Sequence, residues 1–129
     1  MDRYAELQQK ADEVLKRLVL NRRPGDHGAL SAVEELAPTF NDLQRTIVLG
    51  GVYANPTVDL KTRALCTVAA LTVLVRPPLL KTWVGIALNV GCTKEEISEI
   101  IAQMGFYGGI PSTAMAFANA KEAFDEAGV

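Results

Sequence analysis

Metal-binding and redox-active side chains are scarce in this sequence, whose 129 residues include one histidine and two cysteines. Cys66 and Cys92 are separated by 25 residues, with neither a CxxC pair nor a neighbouring histidine. This spacing is typical of neither a metal site nor a disulfide framework. We therefore expect two reduced thiols and no bound metal.

The sequence also lacks a long apolar run and an excess of positive charge. No stretch reaches the roughly 18 apolar residues of a membrane span, and the first residues lack the apolar segment of a signal peptide. The formal net charge is −2, so no basic field exists to attract nucleic acid or anionic lipid. We expect a cytoplasmic protein that binds neither nucleic acid nor membranes.

Apolar residues, in contrast, are abundant at 49%, against 22% charged residues. A chain of this length has room for one core, so we expect a single domain over residues 1–129. The apolar content exceeds what one such core needs to bury. We therefore expect part of it to face another subunit.

Apolar positions recur at spacings of three and four along the whole chain, which predicts helices. The first helix is predicted over residues 2–20 and ends before the Pro24-Gly25 turn, which places His27 in a loop. A short helix over 29–36 follows, and Pro38 opens another that Gly50 and Gly51 should weaken.

Capping signals divide the second half of the chain into helices. Asp59 can cap a helix to about residue 75 that is apolar enough to be buried on most sides. Pro77 suits the first turn of the next helix, and Thr93 with Glu96 forms a capping box for the one after it. Pro111 starts a last helix. The sequence therefore predicts an all-α fold, a bundle of six or seven helices.

Three motifs follow one another in a recognisable order: Asp59-Leu60-Lys61-Thr62-Arg63, then Gly91-Cys92-Thr93-Lys94-Glu95-Glu96-Ile97, then Tyr107-Gly108-Gly109-Ile110-Pro111. In order and spacing they resemble the carboxymuconolactone decarboxylase family over roughly residues 35–126, with 1–34 as an N-terminal helical extension. The resemblance implies an alkyl hydroperoxidase D-like fold and a homo-oligomer, commonly a trimer or hexamer, with pockets near subunit contacts. The implied partner is a small-molecule substrate.

The resemblance implies two kinds of chemistry, and this sequence departs from both. One branch of the family decarboxylates a small lactone carboxylate by proton transfer without a cofactor, using a histidine that by alignment falls on Trp83. The imidazole of a histidine can exchange protons near pH 7, whereas the indole of Trp83 can only donate a hydrogen bond. The other branch uses a CxxC dithiol, but Ala69 stands where a second thiol would follow Cys66, which disfavours disulfide chemistry.

Arg63 is the predicted anion-binding residue, because a guanidinium beside a buried helix can bind a carboxylate in bidentate geometry. An ion pair with Asp59 at the helix start is the alternative. Tyr107 and Gln103 lie one helical turn apart and could point into one cavity. The alternatives are a tyrosine packed on the core and an exposed glutamine.

His27 is the only side chain whose unperturbed pKa suits both acid and base roles near neutrality. Related decarboxylases have a Gly-Asp pair followed closely by a histidine, and Gly25-Asp26-His27 resembles that segment loosely. A solvated loop histidine is the alternative. Cys66 is predicted to border the substrate, although an inert buried thiol is the commoner role for such a residue. Trp83 is interpreted as a pocket wall or an interface anchor.

Together these residues favour a cofactor-independent enzyme that decarboxylates, isomerises or cyclises a small carboxylate or oxygen-rich molecule. In this hypothesis His27, Gln103 and Tyr107 are catalytic, while Arg63, Cys66 and Trp83 bind the substrate. The alternative is a non-catalytic oligomeric ligand-binding or scaffold protein. A thiol peroxidase that uses Cys66 is a third hypothesis.

Overall fold

The computed structural model describes residues 2–18 and 29–129, and within these residues the chain is all-helical with no strand. Seven α-helices and one π-helix follow in the order α1 Arg3–Leu18, α2 Ala29–Leu36, α3 Pro38–Arg45, π1 Thr46–Tyr53, α4 Leu60–Leu74, α5 Pro77–Asn89, α6 Lys94–Gly108 and α7 Ile110–Ala127. The predicted all-α fold is confirmed. Within the same residues no helix is both long and apolar enough to cross a membrane.

The chain divides into two units, Met1–Leu60 and Lys61–Val129. In the first unit α1 packs along π1, and the apolar side of α1 is buried at Ala11, Val14 and Leu18. Gly50 allows the close approach, because a Cβ at that position would lie only 2.9 Å from the Leu7 carbonyl carbon.

The glycines Gly50 and Gly51, which the sequence analysis expected to weaken a helix end, lie in the last turn of π1. The helix that Pro38 opens continues through both glycines as a π-helix to Tyr53. Gly50 packs on the backbone of α1, and the helix ends at Tyr53, two residues beyond Gly51.

The second unit has one core, to which α4, α5, α6 and α7 all contribute apolar side chains. Its largest fully buried members include Leu80, Ile97 and Ile101. The capping box is confirmed: the Glu96 amide donates to the Thr93 hydroxyl at 3.0 Å, and the Thr93 amide donates to the Glu96 carboxylate at 2.9 Å. Lys81 joins α5 to α7 through Glu126, at 2.5 Å, and Glu122, at 3.5 Å.

Helix α4 is buried or half-buried over most of its surface, as expected, and its exposed residues are Thr62, Cys66, Ala70 and Leu74. Ala64, Val68 and Leu71 enter the core, whereas Cys66 and Leu74 are exposed. The exposed residues recur at every fourth position, and position 66 lies opposite the face formed by positions 64, 68 and 71. The preference for a buried Cys66 thiol is therefore corrected to an exposed one.

Candidate functional site

Arg63 and Cys66 lie one turn apart in the first half of α4. Arg63 is half-buried, and its carbonyl oxygen accepts a hydrogen bond from the Thr67 hydroxyl at 3.0 Å. The beginning of α4 is anchored to α6, because Lys61 forms a 3.0 Å ion pair with Glu96. Arg63 is thus held on a well-anchored helix, at the edge between its buried and exposed faces.

The thiol of Cys92 strengthens the same anchor. Cys92 is buried, and its Sγ lies 3.6 Å from the Lys61 carbonyl oxygen, which accepts the bond. Both cysteines are free thiols. Cys92 is therefore part of the support beneath α4, while Cys66 faces outward.

Gln103 and Tyr107 lie one turn apart near the end of α6, and both are exposed, Tyr107 by 75%. The tyrosine is therefore not packed on the core of its own chain. Gly108, which follows it, lies against α4, because a Cβ there would be 3.1 Å from the Val73 Cα. A larger residue at this position would separate the two helices.

Contacts at both ends show that α4 and α6 run side by side in the same direction. Lys61 meets Glu96 at one end and Val73 meets Gly108 at the other, and twelve positions separate the two contacts on each helix. Arg63 is thus level with Ser98. At 1.5 Å per residue, Tyr107 lies about 13 Å further along the axis than Arg63. Within one chain, Arg63 and Tyr107 therefore lie at different positions along the axes of the two helices.

Trp83 lies on α5, where it is partly buried and packs against the core of the second unit. Leu79 and Leu88 of the same helix also pack against this core and are partly buried. The indole is thus held in place by its packing. His27, the remaining predicted site residue, lies outside the described residues.

Two carboxylate–lysine contacts shift pKa values in the second unit. The pKa of Glu96 is lowered, mainly because its carboxylate accepts the Thr93 amide and is paired with Lys61. The pKa of Lys81 is raised, mainly by its hydrogen bond to Glu126. Both groups are structural links between helices rather than predicted site residues.

No cluster of three or more acidic, histidine or cysteine side chains in the described ranges has the arrangement of a metal site. The first unit carries a shallow depression of about 220 Å³, lined by Gln8, Asp12, Asp42, Arg45 and Thr46. An ion pair between Asp12 and Arg45 spans it. The sequence analysis missed this feature, for which the only signal was polar residues at spacings of three and four on two predicted helices.

Comparison with known proteins agrees with the motif order. The model of the carboxymuconolactone decarboxylase family matches residues 41–122. An uncharacterized 15.0 kDa protein from the nqo9-nqo10 intergenic region of Paracoccus denitrificans is 35% identical over 78% of this chain and 77% of its own length. The 4-carboxymuconolactone decarboxylase of Acinetobacter baylyi is 28% identical over 98% of this chain and 90% of its own length.

Proposed function

Because the chain belongs to the carboxymuconolactone decarboxylase family, we propose that it is a cofactor-independent enzyme that transfers a proton on a small carboxylate or oxygen-rich molecule. The observation that carries this proposal is the similarity to a decarboxylase along almost the whole length of both chains. A lactone carboxylate related to 4-carboxymuconolactone is the first substrate to test.

In this proposal Arg63 binds the substrate carboxylate. A half-buried guanidinium on an anchored helix is partly desolvated and restricted in orientation, and both properties strengthen a charge-assisted, bidentate hydrogen bond. Decarboxylation breaks the bond between the carboxylate carbon and its neighbour, carbon dioxide leaves, and the neighbouring carbon takes up a proton. Gln103, Tyr107 and His27 are the proposed groups for that proton and for hydrogen bonds to the substrate oxygens.

The proposed enzyme works as a homo-oligomer. Gln103 and Tyr107 are exposed within one chain, whereas a binding pocket usually encloses most of its ligand. A second copy placed over the end of α6 would cover the phenol and exclude water from it. The 13 Å offset between Arg63 and Tyr107 also fits a pocket that is completed by another chain better than one closed within a single copy.

Trp83 favours an apolar or aromatic ligand over the usual lactone. It stands where the family has a histidine, and the packing of its indole on the core leaves a large, rigid apolar surface. With Cys66 on the exposed face of α4, it would form the apolar part of the substrate-binding surface.

The same residue motivates the second candidate function, a non-catalytic ligand-binding or scaffold protein that lacks the family's imidazole at this position. A thiol peroxidase that uses Cys66 is the third. The exposed thiol is the observation in its favour, and Ala69 in place of a second cysteine is the observation against it. Turnover of an organic hydroperoxide that Cys66→Ser abolishes would support this third function.

The test is turnover of a panel of small lactone carboxylates by the wild-type chain, Arg63→Ala, Arg63→Lys and the control Arg17→Ala, in which an exposed arginine of α1 is lost. We expect Arg63→Ala to lose most of its kcat/KM with unchanged helicity, because the carboxylate loses its partner. Arg63→Lys should keep part of the wild-type kcat/KM, and Arg17→Ala should keep all of it. Equal activity in all four proteins would remove Arg63 from the mechanism. Binding without turnover in the wild type would favour the scaffold function.

A further inference from the structure

Two of the three sequence motifs meet in the structure at Lys61, in the first turn of α4. Its Nζ lies 3.0 Å from the Glu96 carboxylate, and its carbonyl oxygen accepts a hydrogen bond from the Cys92 thiol at 3.6 Å. Glu96 lies in the first turn of α6, and Cys92 directly precedes the cap of that helix. The motif that contains Arg63 is therefore joined to the motif that begins α6 at both ends of one lysine.

The Glu96 carboxylate binds two partners at once, through different oxygens. Oε1 accepts the Thr93 amide at 2.9 Å, and Oε2 is paired with Lys61 at 3.0 Å. The capping box restricts the rotamer of the glutamate and so orients its second oxygen towards α4. Because this side chain is already ordered, the entropic cost that usually weakens an exposed ion pair is smaller here.

This link lies close to Arg63 along α4 but on another side of the helix. Arg63 follows Lys61 by two residues, which corresponds to about 3 Å along the axis and about 200° around it. Side chains two positions apart on a helix do not face each other. Glu96 therefore acts on Arg63 through the backbone of α4.

A small movement of α4 at this end is enough to displace Arg63. At the other end of the helix pair, a Cβ at Gly108 would lie 3.1 Å from the Val73 Cα, so the two backbones touch there. Arg63 lies ten positions before Val73, which is about 15 Å along the helix, so a tilt of about 4° around that contact moves it by about 1 Å. A misplacement of about 1 Å can cost up to about 100-fold in rate.

Removal of the ion pair should leave the fold intact. The side chains of Lys61 and Glu96 are 42% and 39% exposed, and ion pairs with this exposure add little to stability. Core packing of α4 depends on other residues, since Ala64 and Val68 are fully buried. An effect of the ion pair on the site can therefore be measured apart from its effect on folding.

From these observations we infer that Glu96, acting through Lys61, is a positioning residue for Arg63 and sets where the guanidinium meets the substrate carboxylate. The inference rests on the proposed function, because it takes Arg63 as the carboxylate-binding residue. It gives the capping turn of α6 a role in substrate binding in addition to its role in starting the helix.

The test compares binding and turnover of the panel of small lactone carboxylates among variants of the link. Glu96→Gln keeps an oxygen for the Thr93 amide and removes the charge that pairs with Lys61, while Lys61→Met removes the same pair from the other side. We expect each variant to raise KM about tenfold, with kcat within about twofold of the wild type, because a displaced guanidinium weakens ground-state and transition-state binding alike. Lys61→Arg, which can form the pair again, should bring KM back to within about threefold of the wild type. Where a ligand binds without turnover, Kd takes the place of KM.

A double-mutant cycle shows whether the effect passes through Arg63. In the Arg63→Ala background, Glu96→Gln should cause no further loss, because the group that it positions is gone. Glu126→Gln is the matched control, since it removes a carboxylate that pairs with Lys81 between α5 and α7 of the same unit. The control should keep the KM of its parent in both backgrounds, with helicity checked by circular dichroism.

The possible outcomes separate this inference from the proposed enzyme. If Glu96→Gln and Lys61→Met have the same KM as Glu126→Gln while Arg63→Ala is impaired, the inference is overturned and the proposed function stands. An equal loss from Glu96→Gln with and without Arg63 would also overturn it. Binding that depends on both Arg63 and Glu96, without turnover, would support the inference and contradict the enzyme. A wild-type chain that neither binds nor converts the panel would overturn both.

Discussion

Gly50→Ala should destabilise the first unit more than any other single methyl addition at a glycine. A Cβ at this position would lie 2.9 Å from the Leu7 carbonyl carbon and closer still to its oxygen. These are backbone atoms, so no side-chain rotation relieves the overlap and α1 must move away from π1. Overpacking typically costs 1–3 kcal/mol, and we expect about 3 kcal/mol here.

The assay is urea unfolding followed by circular dichroism, with Gly85→Ala in α5 as the control. No described atom outside its own helix lies within 4 Å of the Cβ position at Gly85, so alanine there should raise the free energy of unfolding by up to about 1 kcal/mol through helix propensity. If the two variants differ by less than about 0.5 kcal/mol, the close packing of π1 on α1 is refuted.

Four further outcomes follow from the second unit. Thr93→Ala should lower the free energy of unfolding by about 1 kcal/mol through loss of the cap, measured by urea unfolding, and an unchanged midpoint would contradict the capping box. Because the folded-state pKa of Glu96 lies below its ordinary value of 4.5, its stabilisation is complete above pH 4.5 and fades as the pH falls through the lower folded-state pKa. The stability difference between wild type and Glu96→Gln should therefore shrink in acid, and a difference independent of pH would contradict it. Val75→Gly should stabilise the chain by about 1 kcal/mol, because Val75 has a φ of +55° that strains a β-branched residue; a lower melting temperature would oppose this. A thiol reagent should label Cys66 in the native protein and Cys92 only after unfolding, and equal rates would contradict their burial.

Local signals in the sequence were enough to predict most helices. The Thr93–Glu96 box begins α6 as predicted, and Pro77 begins α5, because capping chemistry and proline geometry depend on residues close in sequence. The π-helix was not predictable from the same signals. Its packing brings Gly50 against Leu7, which is 43 positions away in the sequence, and local signals carry no information on such a contact.

The candidate site was less predictable than the fold. Motif order identified the family and the positions of Arg63 and Tyr107 in the sequence. It did not show how far apart the two residues lie along the axes of α4 and α6. The exposure of Cys66 was mispredicted because an apolar sequence does not specify which side of a helix lacks neighbours. The roles of His27, Gln103 and Trp83 stay predictions.

The most direct test of the proposed enzyme is deuterium incorporation into the product when lactone carboxylates are incubated with the assembled protein in heavy water. The proposal predicts release of carbon dioxide, or isomerisation, with one deuterium bound to carbon at the site of proton transfer. It also predicts that Arg63→Ala loses this activity while it keeps its fold. Tight binding of the same molecules with neither turnover nor deuterium exchange would contradict the proposed enzyme and leave the ligand-binding function in its place.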